Sequence, residues 1–346
     1  MYPLRRTVTC LAVTTLLLVG ACESGPAGSV AAPAGPSSGP GPSGPAPSGP
    51  ADVPVVAEVP AVAPYIDIVS GTADVGEIHD STGLTDFTLA FVLAAGSGAC
   101  TASWGGTRAL DDRSIQAEID TIKGFGGTVT VSTGGADGSY LEEVCPAGQL
   151  AAAYATALDA AGSNHLDVDI EKAVSAGTVI AALSALQSDR GAAITLTVPV
   201  DGVEIGLPEA SVGLLRAARQ AGLEVTVNAM TMNFDADGDW GKAMVAAAET
   251  VHADLAAVWT DRSDQQISAM LGLTPMIGVN DTGPVTTVAD ARTVLAYAER
   301  TGLGFLRFWS VNRDNGGCAT GKLSSTCSGI DQQDYAFTRV FAGYRR

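Results

Sequence analysis

The stretch Asn164-His165-Leu166-Asp167-Val168-Asp169-Ile170-Glu171 alternates three acids with three aliphatic residues. Strand side chains point alternately to the two faces of a sheet, so Leu166, Val168 and Ile170 share one face and Asp167, Asp169 and Glu171 the other. Successive acids then stand about 6.6 Å apart, two residues' rise. The apolar face suits a covering layer of helices, which leaves the acids pointing inward. Three inward carboxylates are costly unless they share protons or hydrogen bonds. Repulsion and burial should raise at least one pKa, and a carboxylic acid still protonated near neutrality can serve as a general acid. Glu171, last in the row and nearest the carboxyl end, is the candidate donor. Asp169, one layer deeper, would orient it and exchange a proton with it. The competing interpretation, a buried acid cluster satisfied by hydroxyls or an ion, suits one lone Asp better than three at period two.

Outward from this strand the pattern repeats. Short β-rich runs are predicted at Tyr65–Val69, Thr88–Ala94, Thr128–Ser132, Leu166–Ile170, Ala193–Pro199, Glu224–Met232, Thr274–Val279 and Gly304–Val311. Stretches of helical period follow most of them, at Arg113–Gly124, Gln149–Ala161, Ala176–Ser188, Ala210–Ala221, Gly241–Val258, Val288–Thr301 and Gln332–Tyr344, with only a weak piece, Val75–His79, after the first. Alternating strands and helices call for parallel pairing with right-handed crossovers. Eight such units fit a (β/α)8 TIM barrel, whose usual size is about 250 residues. A doubly wound open sheet is the alternative, but no G-x-G-x-x-G fingerprint opens the first unit. In a barrel the chemistry sits at the carboxyl ends of the strands.

The chain has 346 residues, 46% of them hydrophobic, enough for a large core. Its net charge of −18 argues against nucleic acid or an anionic lipid surface as partner. His79, His165 and His252 lie far apart without metal-ligand spacing, so no metal is expected. Residues 1–22 read as an export signal: Arg5 and Arg6 precede the apolar run Leu11–Val19, too short to span a membrane. The run ends Val19-Gly20-Ala21-Cys22, which resembles a lipobox; Cys22 would then carry lipid, the alternative being an ordinary cleavable signal. Residues 23–54 form a Pro/Gly/Ser-rich tether, holding 8 of the 17 prolines before residue 52. The folded domain is expected over 55–346. A cell-surface or extracellular location follows from these signals, with membrane contact only through the lipid, and a monomer is expected.

Four cysteines remain, and sequence alone permits three pairings. Cys318–Cys327 closes a short Gly/Ser-rich loop and is favoured, with Cys100–Cys145 as the remainder. Both would staple surface loops rather than perform redox chemistry.

The acidic strand resembles the D-G-x-D-x-D-x-E signature of glycoside hydrolase family 18, the chitinases and endo-β-N-acetylglucosaminidases. Asp167, Asp169 and Glu171 match its last three acids, while Asn164 and His165 stand in place of the usual Asp and Gly. Ser132-Thr133-Gly134-Gly135 resembles the family's S-x-G-G, where paired glycines would let a ligand approach the backbone. Met230-Thr231-Met232-Asn233 resembles M-x-Y-D, with Met232 in place of Tyr and Asn233 in place of Asp. Trp309 on the last strand resembles the terminal Trp that floors the sugar subsite, and Trp104 is a candidate outer sugar platform.

The resemblance implies hydrolysis of β-1,4 bonds between N-acetylglucosamine units with retention, the substrate's acetamido oxygen acting as nucleophile. Glu171 would be acid and base, Asp169 would hold the acetamido N–H, and Asp167 would share a proton beneath it. Met230, Met232 and Asn233 would shape the acetamido pocket, and Trp309 would stack under the sugar. No cofactor is needed; the partner is chitin or its oligosaccharides. From Val279 to Gly304 there is room for one helix, so no α+β insertion is expected between strands seven and eight, and the groove should be open and endo-acting. A non-hydrolytic chitin binder and an endo-β-N-acetylglucosaminidase of N-glycans are the alternatives.

Overall fold

Eight parallel strands follow one another around a barrel in chain order: β1 (Tyr65–Asp67), β2 (Phe87–Ala94), β3 (Val129–Gly134), β4 (His165–Asp169), β5 (Ala193–Pro199), β6 (Val225–Met230), β7 (Leu271–Leu273) and β8 (Phe305–Leu306). In this computed structural model, residues 58–96 and 98–346 are described. The expected leader with Arg5, Arg6 and Cys22, the tether, and the domain start at Val55 lie outside the described residues. Backbone bonds close the ring between β8 and the segment before β1. The Leu306 N–H donates to Ala61 at 2.8 Å, Ala63 to Leu306 at 3.3 Å and Tyr65 to Phe308 at 3.1 Å. The structure is therefore the expected (β/α)8 barrel, and closure rules out the open sheet.

Helices α1 (Val75–Thr82), α2 (Arg113–Gly124), α3 (Ala147–Ala161), α4 (Ala176–Arg190), α5 (Glu209–Gln220), α6 (Trp240–Val258), α7 (Val288–Thr301) and α8 (Ala336–Phe341) follow the strands in turn. Local sequence starts several of them: Asp74, Asp112, Ser175, Asp239 and Thr287 accept first-turn N–H groups at α1, α2, α4, α6 and α7. Their apolar faces pack on the aliphatic outer face of the strands, with Leu166 and Val168 fully buried. Among the described residues no helix is long and apolar enough to cross a membrane.

Several expectations need correction. The seventh strand begins at Leu271, three residues before the expected Thr274. A short helix, Asp264–Met270, started by the Ser263/Gln266 capping box, runs directly into it. Pro275 lacks an N–H and ends regular pairing, after which only a bridge between Met276 and Trp309 continues. The C-terminal helix is Ala336–Phe341 instead of Gln332–Tyr344. Tyr335 sits in the left-handed region, and Asp314 takes the N–H groups of Phe337 and Thr338 at 3.1 and 2.7 Å. Trp104 is no sugar platform. The chain folds back after β2 into an antiparallel strand, Ala102–Trp104, and the indole is fully buried in the hydrophobic core.

The inside of the barrel is polar. Asp167 lies at its centre, fully buried, paired with the equally buried Arg307 at 2.7 Å. The Tyr65, Ser132 and Thr197 hydroxyls also donate to it, at 2.8, 2.6 and 2.6 Å. Asn228 donates to Thr197 at 3.0 Å and accepts from Thr274 at 2.8 Å, carrying the network across to β6 and the end of β7. Removing one member of a buried pair strands the other charge, which costs about 3–5 kcal/mol. Arg307→Met should therefore lower unfolding free energy by about that amount in urea melts, and Asp167→Asn/Arg307→Met should regain a large part of it.

Candidate active site

Residues at or just beyond the carboxyl ends of the strands, with Tyr65 of β1 and Phe91 of β2, surround a cleft of about 510 Å³ that holds Asp169 and Glu171 but not Asp167. Alternation along β4 sends all three acids inward, as expected, yet their surroundings differ. Both oxygens of Asp167 are filled by donors, so the expected proton-sharing with Asp169 is replaced by an ion pair and three hydroxyl bonds. Asp169 is almost fully buried, and its Oδ1 has no hydrogen-bond partner. Burial, and then the charges of Glu171 and Asp167, push its pKa well above the usual carboxyl range. Glu171 lies just beyond the strand, where solvent reaches it. Its pKa is also raised, by the cleft walls first and then by Asp281 and Asp137, with Lys172 opposing.

The floor is aromatic. Trp309 is half-buried, stacked on Phe91 at 5.6 Å between centroids, with Tyr65 tilted beside it at 5.9 Å. Met230 and Met232 give one wall an apolar surface. Asn233 lines the cleft as expected, but its amide is engaged. It adopts a left-handed backbone, donates to Asp281 at 2.9 Å and accepts the Asp281 N–H at 2.9 Å. Its role is to hold the loop after β7 so that Asp281 faces Glu171 across the cleft.

Ser132 is not a substrate contact: it is fully buried and points at Asp167. Nor do Gly134 and Gly135 open the backbone to a ligand. A Cβ on Gly134 would meet the Asp169 carbonyl oxygen at 1.9 Å, and one on Gly135 the Phe91 ring at 2.7 Å. These glycines let β3 lie tight against β4 and the aromatic floor. Asn164 and His165 sit at the far end of β4. Asn164 ties the strand to the end of α4 through Arg190, bonding its Nε at 2.7 Å and its carbonyl at 2.8 Å. Both disulfides form as favoured, Cys100–Cys145 and Cys318–Cys327. The second closes the loop whose Leu323, Ser324 and Ser325 rim the cleft. Among the described residues no group of His, Cys, Asp and Glu side chains could hold a metal ion.

No family model matches the chain, so kinship rests on individual relatives. Active domain 2 of a thermostable chitinase from Pyrococcus furiosus, solved with chito-oligosaccharides, is 32% identical, with a TM-score of 0.76, and the match covers 86% of this chain and all of that domain. The chain belongs to glycoside hydrolase family 18. A probable bifunctional chitinase/lysozyme of Escherichia coli K12 is 29% identical over 82% of this chain, and Endochitinase 11 of Metarhizium anisopliae 29% over 73%. The chain spans about a third of the first relative's length and half of the second's (34% and 52%).

Within this family-18 barrel the connection from β7 to β8 holds only the hairpin Gly278–Val279/Val285–Thr286 and helix α7, so no α+β insertion walls the cleft. Sequence reasoning overlooked Tyr65, Arg307, Asp281 and Arg313. Arg307 had a signal, a lone cation between Leu306 and Phe308 in a strand facing the acid row. Asp281 had none, since only the fold of its loop brings it to Glu171. Arg313 lines the cleft while donating to the Ile277 and Val279 carbonyls at 2.9 and 2.5 Å, and burial pushes its pKa down to about 10. Removing the Asp281 charge should ease ionisation of Glu171. Asp281→Asn is expected to lower the Glu171 pKa, read by carboxyl-carbon NMR titration, and an unchanged or higher value would contradict the electrostatic assignment.

Proposed function

We propose that the chain is an exported, endo-acting hydrolase of β-1,4-linked N-acetylglucosamine polymers, working with retention by substrate assistance. The observation that carries this is the stacking of environments along β4. An acid with raised pKa stands at the mouth, above a buried carboxyl with a free oxygen, beside an aromatic floor of pyranose size. Support for the substrate comes from the relatives named for chitin hydrolysis.

In this mechanism Trp309 carries the sugar at the cleavage point, and Met230 and Met232 pack around its acetamido methyl group. Glu171 gives its proton to the glycosidic oxygen as the bond to C1 breaks. The acetamido oxygen bonds to C1 from the opposite face, and positive charge spreads over the resulting oxazolinium ring. Asp169, whose carboxyl lines the cleft, accepts the ring N–H, and that bond strengthens as the charge develops. Glu171, now a carboxylate, takes a proton from water as the water opens the ring, which restores the acid and retains configuration. Asp167 stays beneath as a fixed support, held by Arg307.

Endo-action is supported by the short β7–β8 connection, which leaves the cleft without a tall wall on that side. Export is supported by the residues before the barrel and by two disulfides, which persist in oxidising compartments. Attachment through Cys22 is part of the same proposal, and metabolic labelling with a fatty acid tests it.

The decisive measurement is hydrolysis of chitotetraose beside Glu171→Gln. Wild type should release β-anomeric products. The variant should bind the oligosaccharide with similar affinity while turnover falls about 10³-fold or more. Near-normal turnover in the variant would refute the role of Glu171; binding without turnover by wild type would favour a carbohydrate-binding protein instead. Because the donor must be protonated, kcat/KM should fall as pH rises through the raised Glu171 pKa.

A further inference from the structure

Glu171 is the first residue of its strand that the sheet no longer holds. The last ladder bond from this segment to β5 is the Ile170 N–H to Thr197 at 2.9 Å, and the Asp169 carbonyl is taken by the Gly135 N–H at 3.1 Å. The Glu171 N–H then finds no backbone acceptor, and a side chain takes its place. The Tyr140 hydroxyl accepts it at 3.2 Å and donates in turn to the Gly135 carbonyl. Tyr140 is fully buried and begins a single helical turn, Leu141–Val144, ended at Cys145 of the Cys100–Cys145 disulfide. The same loop is gripped a second time by Lys172. Its ammonium lies 4.7 Å from the centre of the Tyr140 ring and donates to the Gly138 carbonyl at 2.9 Å.

The geometry points to Tyr140 as a positioning residue that substitutes for the missing strand partner and fixes the backbone from which the proton donor projects. This assignment rests on the hydrolytic reading of Glu171. The phenol itself touches no substrate; it is absent from the lining of the cleft. Its effect passes through the Cα of Glu171, where a backbone displacement of an ångström moves the carboxyl tip at least as far. Misplacement on that scale costs about 10²-fold in rate.

Tyr140→Phe in the full chain removes only the hydroxyl. On chitotetraose, whose leaving group is a poorly acidic sugar hydroxyl, kcat should fall by about 10- to 100-fold with KM changed less than about twofold. On 2,4-dinitrophenyl chitobioside, whose leaving group needs little protonation, kcat/KM should stay within about threefold of wild type. That dependence on the leaving group is the signature of a misplaced acid; a purely structural role would lower Tm and depress both substrates alike. Equal losses on the two substrates, or no loss on either while wild type is active, would overturn the assignment alone. Wild type inert toward both would overturn the hydrolytic reading and this assignment with it.

Discussion

The ion pair between Asp167 and Arg307 is the constraint on which the acidic strand depends. Three carboxyl groups enter the barrel from β4, and the deepest has no access to water. A guanidinium supplied by the chain just after β8, on the far side of the ring, cancels its charge, and hydroxyls from β1, β3 and β5 fill its remaining acceptor directions. The bond therefore also helps to fix how five strands sit around the barrel axis. A buried pair is weak evidence of stability gained, since an apolar filling of similar volume often serves as well. Its presence makes sense as electrostatics: the Arg307 guanidinium sits against the Asp167 carboxyl at a depth that water does not reach.

The two outer acids differ from Asp167 in forming no ion pair among the described residues; Lys172 beside Glu171 donates to the Gly138 carbonyl instead. Asp169 is buried beside two other acids, and Glu171 is enclosed on one side and faced by Asp281 and Asp137. Both are thereby biased toward the protonated form, for different reasons and at different depths. A graded row results, with a carboxylate paired to Arg307 at the bottom, a buried carboxyl in the middle, and at the top the solvent-reached acid proposed as the proton donor. The gradient follows from distance to the mouth and from one arginine, and needs no special geometry in the strand itself.

The acid row, the barrel and the two disulfides were legible because each is local or periodic. Alternation at period two settles which face Asp167, Asp169 and Glu171 share, and two cysteines only nine positions apart in a short Gly/Ser-rich loop nearly declare their own bond. Errors arose where position in the chain was a poor guide to depth. Trp104 follows a strand and precedes a glycine pair, so it reads as a loop residue, but the chain folds back and buries it. Ser132, Gly134 and Gly135 end a barrel strand, where ligand contacts are common, but the neighbouring strand and Phe91 come too close for anything else to enter. Asp281 and Tyr140 were illegible for a further reason: each acts on Glu171 from another loop, across 110 and 31 residues of sequence, a difference in numbering that no local pattern reports.

The same loops account for how an exposed donor can be held in place. A side chain at a rim has water on one side and few packing partners, so its orientation is set by the backbone beneath it and by charges across the gap. Here the backbone is held from the β3 side, through Gly135 and Tyr140, while the opposing charge comes from the β7 side on a loop pinned by Asn233. Neither clamp lies in the sheet ladder, and each depends on a residue at positive φ: Gly135 at 90°, which a glycine adopts freely, and Asn233 at 61°, uncommon for a residue with a side chain. The Asn233 conformation carries a local cost that regular secondary structure avoids, and such residues gather where function requires the chain to leave its ladder at a defined place. The Asp169 carboxyl, whose buried Oδ1 has no hydrogen-bond partner, belongs with them. A fully satisfied carboxyl at that depth would make a more stable barrel, but one with no acceptor left for the cation of the substrate-assisted mechanism proposed above.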